Sequence, residues 1–301
     1  MGGTSGADSI QPVSLRRGMG LRRILILIIL GAGLWAFIQL NLTPADLIPN
    51  PGGLQVAGKF FSRALSPALT YEAEFVPANT QPLLWKAIQA AGTTVVFAAA
   101  AMSLALVAGL ILGFLASTAW WVGDPAGGRS ATVVFLRRSV APIIYGSTRV
   151  LITLMRSVHE LLWAVLLLAA FGLSHLSAAV AIAIPFGGTL AKIFAEMIDE
   201  APRDVAEAYR GSGASSTQVY LLGLLPRALP DMIAYAFYRF ECALRSSAIL
   251  GFFGYPTLGF FIAASFENLH YGEVWTYLYT LFFLVTVVDW WSGALRKRFA
   301  V

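Results

Sequence analysis

The sequence predicts an all-α integral membrane protein with about six transmembrane helices, on three observations. Hydrophobic residues fill 57% of the 301 positions and charged residues only 12%, where a soluble domain carries about 25% charged. Mean hydropathy is correspondingly high, at +0.71. Six apolar segments approach or exceed the length of about 20 residues that crosses a bilayer as a helix. They lie near 24–40, 92–117, 142–171, 178–197, 231–254 and 273–292. Basic residues, finally, crowd the loops of one side.

A basic tail, 1–23, opens the chain, with Arg16, Arg17, Arg22 and Arg23 ahead of the apolar run 24–40. A signal peptide has that layout, but Gln39-Leu40-Asn41-Leu42 offers no small-x-small cleavage site, so a retained first helix is expected. The loop 41–91 carries Pro44, Pro49, Pro51, Pro67, Pro77 and Pro82, which predict extended backbone with short helical pieces. Within it Gly53 to Lys59 mimics a phosphate-binding loop. Phe60 stands where Ser or Thr would hold magnesium, and no strand precedes the run. No ATP site or other cofactor is expected on this chain. Residues 92–292 form the transmembrane core, interrupted by a loop at 198–230, and 293–301 form a second basic tail.

With six spans and the N-terminus inside, the inner segments carry Arg16, Arg17, Arg22, Arg23, Arg129, Arg137, Arg138, Arg203, Arg210, Arg227, Arg296, Lys297 and Arg298. The outer segments carry Lys59, Arg63 and Lys86. This asymmetry predicts cytoplasmic termini, a cytoplasmic 198–230 loop and an extracytoplasmic 41–91 loop. It also accounts for the net charge of +5. The basic residues border the membrane and form no single face, so nucleic acid is not an expected partner. Trp120, Trp121, Trp290 and Trp291 sit at span ends as interfacial anchors do. Cys242 is the only cysteine, so no intrachain disulfide can form, and His159, His175 and His270 lack ligand spacing.

The loop at 198–230 reads as two short helices around a glycine break. Pro202 suits the first turn of the first helix, with Asp199, Glu200 and Asp204 near its positive end. Gly211 and Gly213 stop it, Ser215 or Ser216 caps the next, and Pro226 and Pro230 close the element. Such a knuckle between spans suits docking onto a soluble partner.

Five basic residues remain at membrane depth or its edge: Arg149, Arg156, Lys192, Arg239 and Arg245. Each is costly in lipid and should face a bundle interior or a watery path. Lys192 and Glu196, and likewise Glu241 and Arg245, are spaced as helical ion pairs; Arg149, Arg156 and Glu160 share one helical face. Lys192, Glu196, Glu160 and Glu241 are thus candidate structural partners. Arg239, Arg156 and Arg245 are candidates for an anion path, because surplus positive charge suits an anionic substrate. Gly109 and Gly113, with Gly187, Gly188 and Ala191, give small-residue faces for close helix packing.

The knuckle resembles the permease subunits of ABC importers, whose signature runs Glu-Ala-Ala, three residues, Gly, nine residues, Ile, one residue, Leu-Pro. Glu207, Ala208, Gly213, Leu225 and Pro226 match in register, while Tyr209 replaces the second Ala and Gly223 the Ile. The resemblance implies a type I ABC-importer permease core whose loop docks a cytoplasmic ATPase through Glu207, Ala208, Tyr209, Gly213, Leu225 and Pro226. ATP and magnesium would then sit on that partner. Arg156 to Ala164, Lys192 to Glu196, Tyr238 to Arg245, Leu250 to Gly254 and Gly259-Phe260 are similar to the phosphonate-importer permeases. His159 stands where that family often has Pro, and Tyr255-Pro256-Thr257 interrupts a usually glycine-rich turn. This narrower likeness implies phosphonate, phosphite or phosphate as cargo, a homodimer, a bacterial inner membrane, and an outer substrate-binding protein near 255–272. Two other classes stay open. A membrane enzyme acting on phospho-head groups would need convergent ligands, whereas Asp231, Glu241 and Asp289 fall on separate helices. A secondary transporter would show two inverted halves.

Overall fold

The computed structural model describes residues 16–43, 46, 48, 50–121 and 131–299, and no strand occurs among them. The chain divides into two units, Met1–Gly58 and Lys59–Val301. In the first, α1 (Arg16–Gln39) is apolar over most of its length and has no buried side chain among those described. Helix α2 (Pro51–Ser62) crosses the unit boundary and contains the whole Gly53–Lys59 run as helix.

The second unit is a helical bundle. Its elements are α3 (Leu83–Ala116), α4 (Thr118–Trp121), α5 (Ala131–Ser157), α6 (Glu160–Phe171) and α7 (His175–Glu200). There follow α8 (Asp204–Gly211), α9 (Ser216–Gln218), a π turn (Val219–Leu224), α10 (Leu225–Ile249), a 3-10 turn (Leu250–Phe253), α11 (Leu258–Glu267) and α12 (Tyr271–Phe299). Among the described residues, four helices are long and apolar enough to cross a membrane, and two bent pairs bring the number to six if each is one span.

α7 is the most buried of the four long spans. It packs along α3, where a Cβ on Gly109 would stand 2.7 Å from Leu190 Cβ and one on Gly113 would stand 3.3 Å from Phe194 Cβ. Gly187 faces Ala105 and Ala108 of α3, and Gly188 faces Ile152, Met155 and Arg156 of α5. Small residues thus let three backbones approach.

Several boundaries differ from those read off hydropathy. The segment 142–171 is two helices bent by 92°. His159 adopts an extended conformation between them, and its ring accepts the Leu161 N–H at 3.3 Å, capping α6. Hydropathy averages over such a break. Arg156 and Glu160 therefore do not share a helical face. Helix α3 starts at Leu83, directly after Pro82 and well before 92, and Lys86 in its first turn places its ammonium over the Tyr71 and Phe261 rings. Residues 293–299 continue α12 and are not a separate tail.

Pro202 lies before α8 and not inside its first turn. It holds Ala201 extended (ψ 141°), which ends α7 at Glu200. Asp199 belongs to the last turn of α7, and its carboxylate caps α4, accepting from Ser117 Oγ (2.6 Å) and the Thr118 N–H (2.8 Å). Pro226 falls in the first turn of α10 and Pro230 lies inside that helix, so neither closes the loop. Trp290 and Trp291 are exposed on α12. The side chains of Arg16, Arg17, Trp120, Trp121, Arg137 and Arg138, and all of Arg129, lie outside what is described.

Candidate functional site: the knuckle and the unpaired cations

Helix α8 carries Glu207, Ala208 and Tyr209, all exposed, with Ala206 buried beneath them. It ends in a Schellman cap. The Ala214 N–H donates to Tyr209 O (3.0 Å) and the Gly213 N–H to Arg210 O (3.0 Å), which turns Gly213 to φ +82°. Nothing lies within 4 Å of a Cβ placed there, so backbone strain of about 1–2 kcal/mol, and not a clash, is what selects glycine. Ser215 then caps α9 in a box with Gln218. Arg227 grips Asp204 at 2.9 and 3.3 Å, tying the start of α10 to the start of α8. Tyr220 is buried edge-on against Phe114 of α3 at 4.8 Å, so the knuckle is anchored in the bundle.

The two departures from the importer signature meet each other. A Cβ on Gly223 would stand 3.4 Å from Tyr209 Cδ2 and 3.6 Å from Val205 Cγ1. The Tyr209 ring fills the volume that a larger residue at 223 would need. Leu225 and Pro226 form the first turn of α10, directly after the π turn.

Carboxylates divide the membrane-depth cations into two groups. Arg149 donates to Ala116 O (2.9 Å) and lies 4.0 Å from Asp199. Lys192 lies 3.5 Å from Glu196. Glu241 does not pair with Arg245: its partner is Arg296, at 3.3 Å, which also approaches Asp289 at 3.7 Å. The expected Glu241–Arg245 pair fails because α12 packs on α10 and brings in a cation from 55 positions away. Glu241 and Asp289, placed on separate helices by the sequence, thus converge on one guanidinium. Glu160 accepts from Ser246 Oγ (2.9 Å) and lies 3.4 Å from His159. Among the described residues, no carboxylate lies within ion-pair distance of Arg156, Arg239 or Arg245. Arg239 instead lies over the Phe186 ring at 4.5 Å.

At the other end of the bundle, residues 59–82 are strapped to the start of α12. Glu273 accepts from the Glu72 N–H (2.8 Å) and Ser265 Oγ (3.0 Å), while Glu72 accepts from the Gly272 N–H (2.9 Å). Trp275 Nε1 donates to Phe60 O at 2.7 Å and Tyr279 to Ala64 O at 2.8 Å. Burial, followed by the Glu273 carboxylate, pushes the Tyr71 hydroxyl above its ordinary range, which keeps it a donor to Gln81 O (2.9 Å). Sequence reasoning missed this clasp, since Glu72 and Glu273 carry no local pattern.

Residues 125–301 match the model of the binding-protein-dependent transport system inner membrane component. The chain belongs to that family. This chain is 36% identical over 158 residues to a phosphite transport system permease protein of Stutzerimonas stutzeri, covering 52% of this chain and 58% of that one. It is 30% identical over 157 residues to a phosphate-import permease protein of Mycolicibacterium smegmatis, covering 52% of this chain and 30% of that one. It therefore spans less than two thirds of the length of these relatives. The inward-facing MetNI methionine ABC transporter is similar in structure, with a TM-score of 0.58 and 20% identity over 73% of this chain and 99% of that one. This establishes the fold as that of an ABC-importer permease, multi-pass and all-helical.

Proposed function

We propose that this permease is the membrane-spanning subunit of an ATP-driven importer for a phosphorus oxyanion: phosphonate, phosphite or phosphate. The observation that carries the reading is the knuckle itself: an exposed helix with a Schellman cap, in register with the importer signature and anchored in the bundle through Tyr220. Its exposed face, Glu207, Ala208 and Tyr209, docks a cytoplasmic ATPase, which binds ATP and Mg²⁺. The basic-residue asymmetry supports cytoplasmic termini and, with them, an outer location for the strapped 59–82 and 255–272 segments, where a substrate-binding protein delivers cargo. A second copy of the permease completes the path. ATP-driven closure moves the knuckles and switches the shared cavity between two access states, each with its own affinity for cargo. The phosphite and phosphate permeases among its relatives support the cargo class, and so does the group of cations without carboxylate partners.

The test is affinity purification of the tagged permease from its native membrane, followed by uptake of labelled phosphite, phosphate and methylphosphonate by cells with and without it. A copurifying ATPase and permease-dependent uptake of at least one of the three are expected. Purification without any ATPase, or uptake unchanged on deletion for all three, overturns the reading.

A further inference from the structure

We infer that α2 (Pro51–Ser62) lies along the bilayer surface as an interfacial anchor, with its apolar arc among the lipid headgroups and upper acyl chains and Lys59 toward their phosphates. The leaflet is the one on the side of the strap, which the proposed topology makes the outer one.

Twelve residues rise about 18 Å, well short of the roughly 30 Å of hydrocarbon that a span must cross. Within that length the residue types separate by face. At about 100° per residue, the three polar side chains Gln55, Lys59 and Ser62 fall inside an arc of about 60°. Val56, Phe60, Ala57, Phe61 and Leu54 follow one another over an arc of about 160° on the other side. Lys59 is the one charged residue of the helix. This is the layout of a helix that lies at a boundary between water and an apolar phase.

A helix that docks on its own protein buries such an arc, and α2 does not. None of its residues is buried. Ala57 and Phe60 are half-buried, Val56 is exposed, and Leu54 and Phe61 are 62% and 63% exposed.

The aromatic side chains around the end of α2 point to lipid as the cover. Phe60 packs on Trp275 at 4.9 Å and on Tyr271 at 5.9 Å, and Trp275 packs on Tyr279 at 5.5 Å. Tyr279 also holds Ala64 O, just past the helix. Trp and Tyr gathered at one end of a spanning helix mark the headgroup level. α12 is such a helix, and Phe282 and Phe283 are exposed on it about 10 Å beyond Trp275, at the depth of acyl chains. Phe61, 6.3 Å from Trp275, carries that belt onto α2. Lys59 and Arg63 are both exposed there, and their long stems let the charges reach phosphates while the apolar arc stays in lipid. The strap is thereby held at both ends, by lipid at α2 and by the Glu72–Glu273 clasp at α12.

The test places a nitroxide on single cysteines in a Cys242→Ser background, with the purified permease–ATPase complex in nanodiscs of phosphatidylethanolamine and phosphatidylglycerol. Oxygen, which concentrates in lipid, and a water-soluble nickel chelate each relax the label they reach. Leu54→Cys and Phe61→Cys should favour oxygen over nickel by about fivefold or more relative to Gln55→Cys and Ser62→Cys, as burial of about 5–10 Å in the interface requires. The polar-arc positions carry the same nitroxide, so a preference of the label itself for lipid cancels. Lys59→Glu should lower the oxygen preference at both apolar positions, and no change there overturns the role given to Lys59. Labels at 54 and 61 as open to nickel as those at 55 and 62 overturn the anchor, because α2 then stands in water. Labels at 54 and 61 shielded from both reagents overturn it as well, since a second copy or another protein then covers the arc. All four labelled positions are exposed, so no cysteine disturbs a packed core. None of these readings uses uptake, so the importer function stands or falls separately.

Discussion

Glu241 illustrates how one side chain is decided by its surroundings. It is buried on α10, and α12 supplies Arg296 at 3.3 Å. Removing either partner leaves the other charge in a low-dielectric environment, while losing Arg245 strands nothing. Arg296 remains about a third exposed, so the cost falls below that of a fully buried pair. Arg296→Ala and Glu241→Ala should each destabilise by about 1–3 kcal/mol, with a non-additive double variant, whereas Arg245→Ala should stay within about 0.5 kcal/mol. Thermal unfolding of the detergent-purified protein measures all four. Equal losses for Arg245→Ala and Arg296→Ala would contradict the pairing. The helical spacing of Glu241 and Arg245 was legible in the sequence, yet an i,i+4 spacing only permits a pair. Arg296 has no local relation to Glu241 at all.

At the scale of elements, the knuckle was the most legible part of the chain. Its helix, its stop at Gly213 and its second cap at Ser215 all depend on neighbours a few positions away, through capping and left-handed turn chemistry. The fit of Tyr209 over Gly223 was not legible, because it depends on how α8 folds back on the π turn. Isoleucine at 223 has no room beneath the ring, and overpacking of this kind costs about 1–3 kcal/mol. Gly223→Ile alone should distort the knuckle and lower the ATPase copurified per permease. Adding Tyr209→Ala should restore the thermal stability that Gly223→Ile costs, by emptying the ring's volume. Undiminished copurification with Gly223→Ile alone would show that the two residues do not constrain one another. The bend at 157–159 escaped notice for a related reason: a hydropathy window sums apolar character over both helices and cannot register their angle.

For the molecule as a whole, the basic-residue asymmetry predicts a cytoplasmic knuckle and an outer strap. Leu65 is 95% exposed on the strap, and Gly211 is exposed on α8 with nothing within 4 Å of a new Cβ. In a Cys242→Ser background, a membrane-impermeant thiol reagent should label Leu65→Cys in intact cells and Gly211→Cys only after the membrane is opened. Labelling of Gly211→Cys from outside would invert the topology and remove the docking role. By itself the sequence determined the membrane class, the number of apolar segments, their expected orientation and the knuckle. These follow from composition and from interactions within a turn or two of chain. Only the tertiary structure decided which charges are neutralised. It joined Arg296 to Glu241, gave Asp199 to the α4 cap, clasped Glu72 to the start of α12 and, among the described residues, left Arg156 and Arg239 without a carboxylate partner. A charge pairs with whatever helix packing brings within about 4 Å, and that distance is unrelated to separation along the chain.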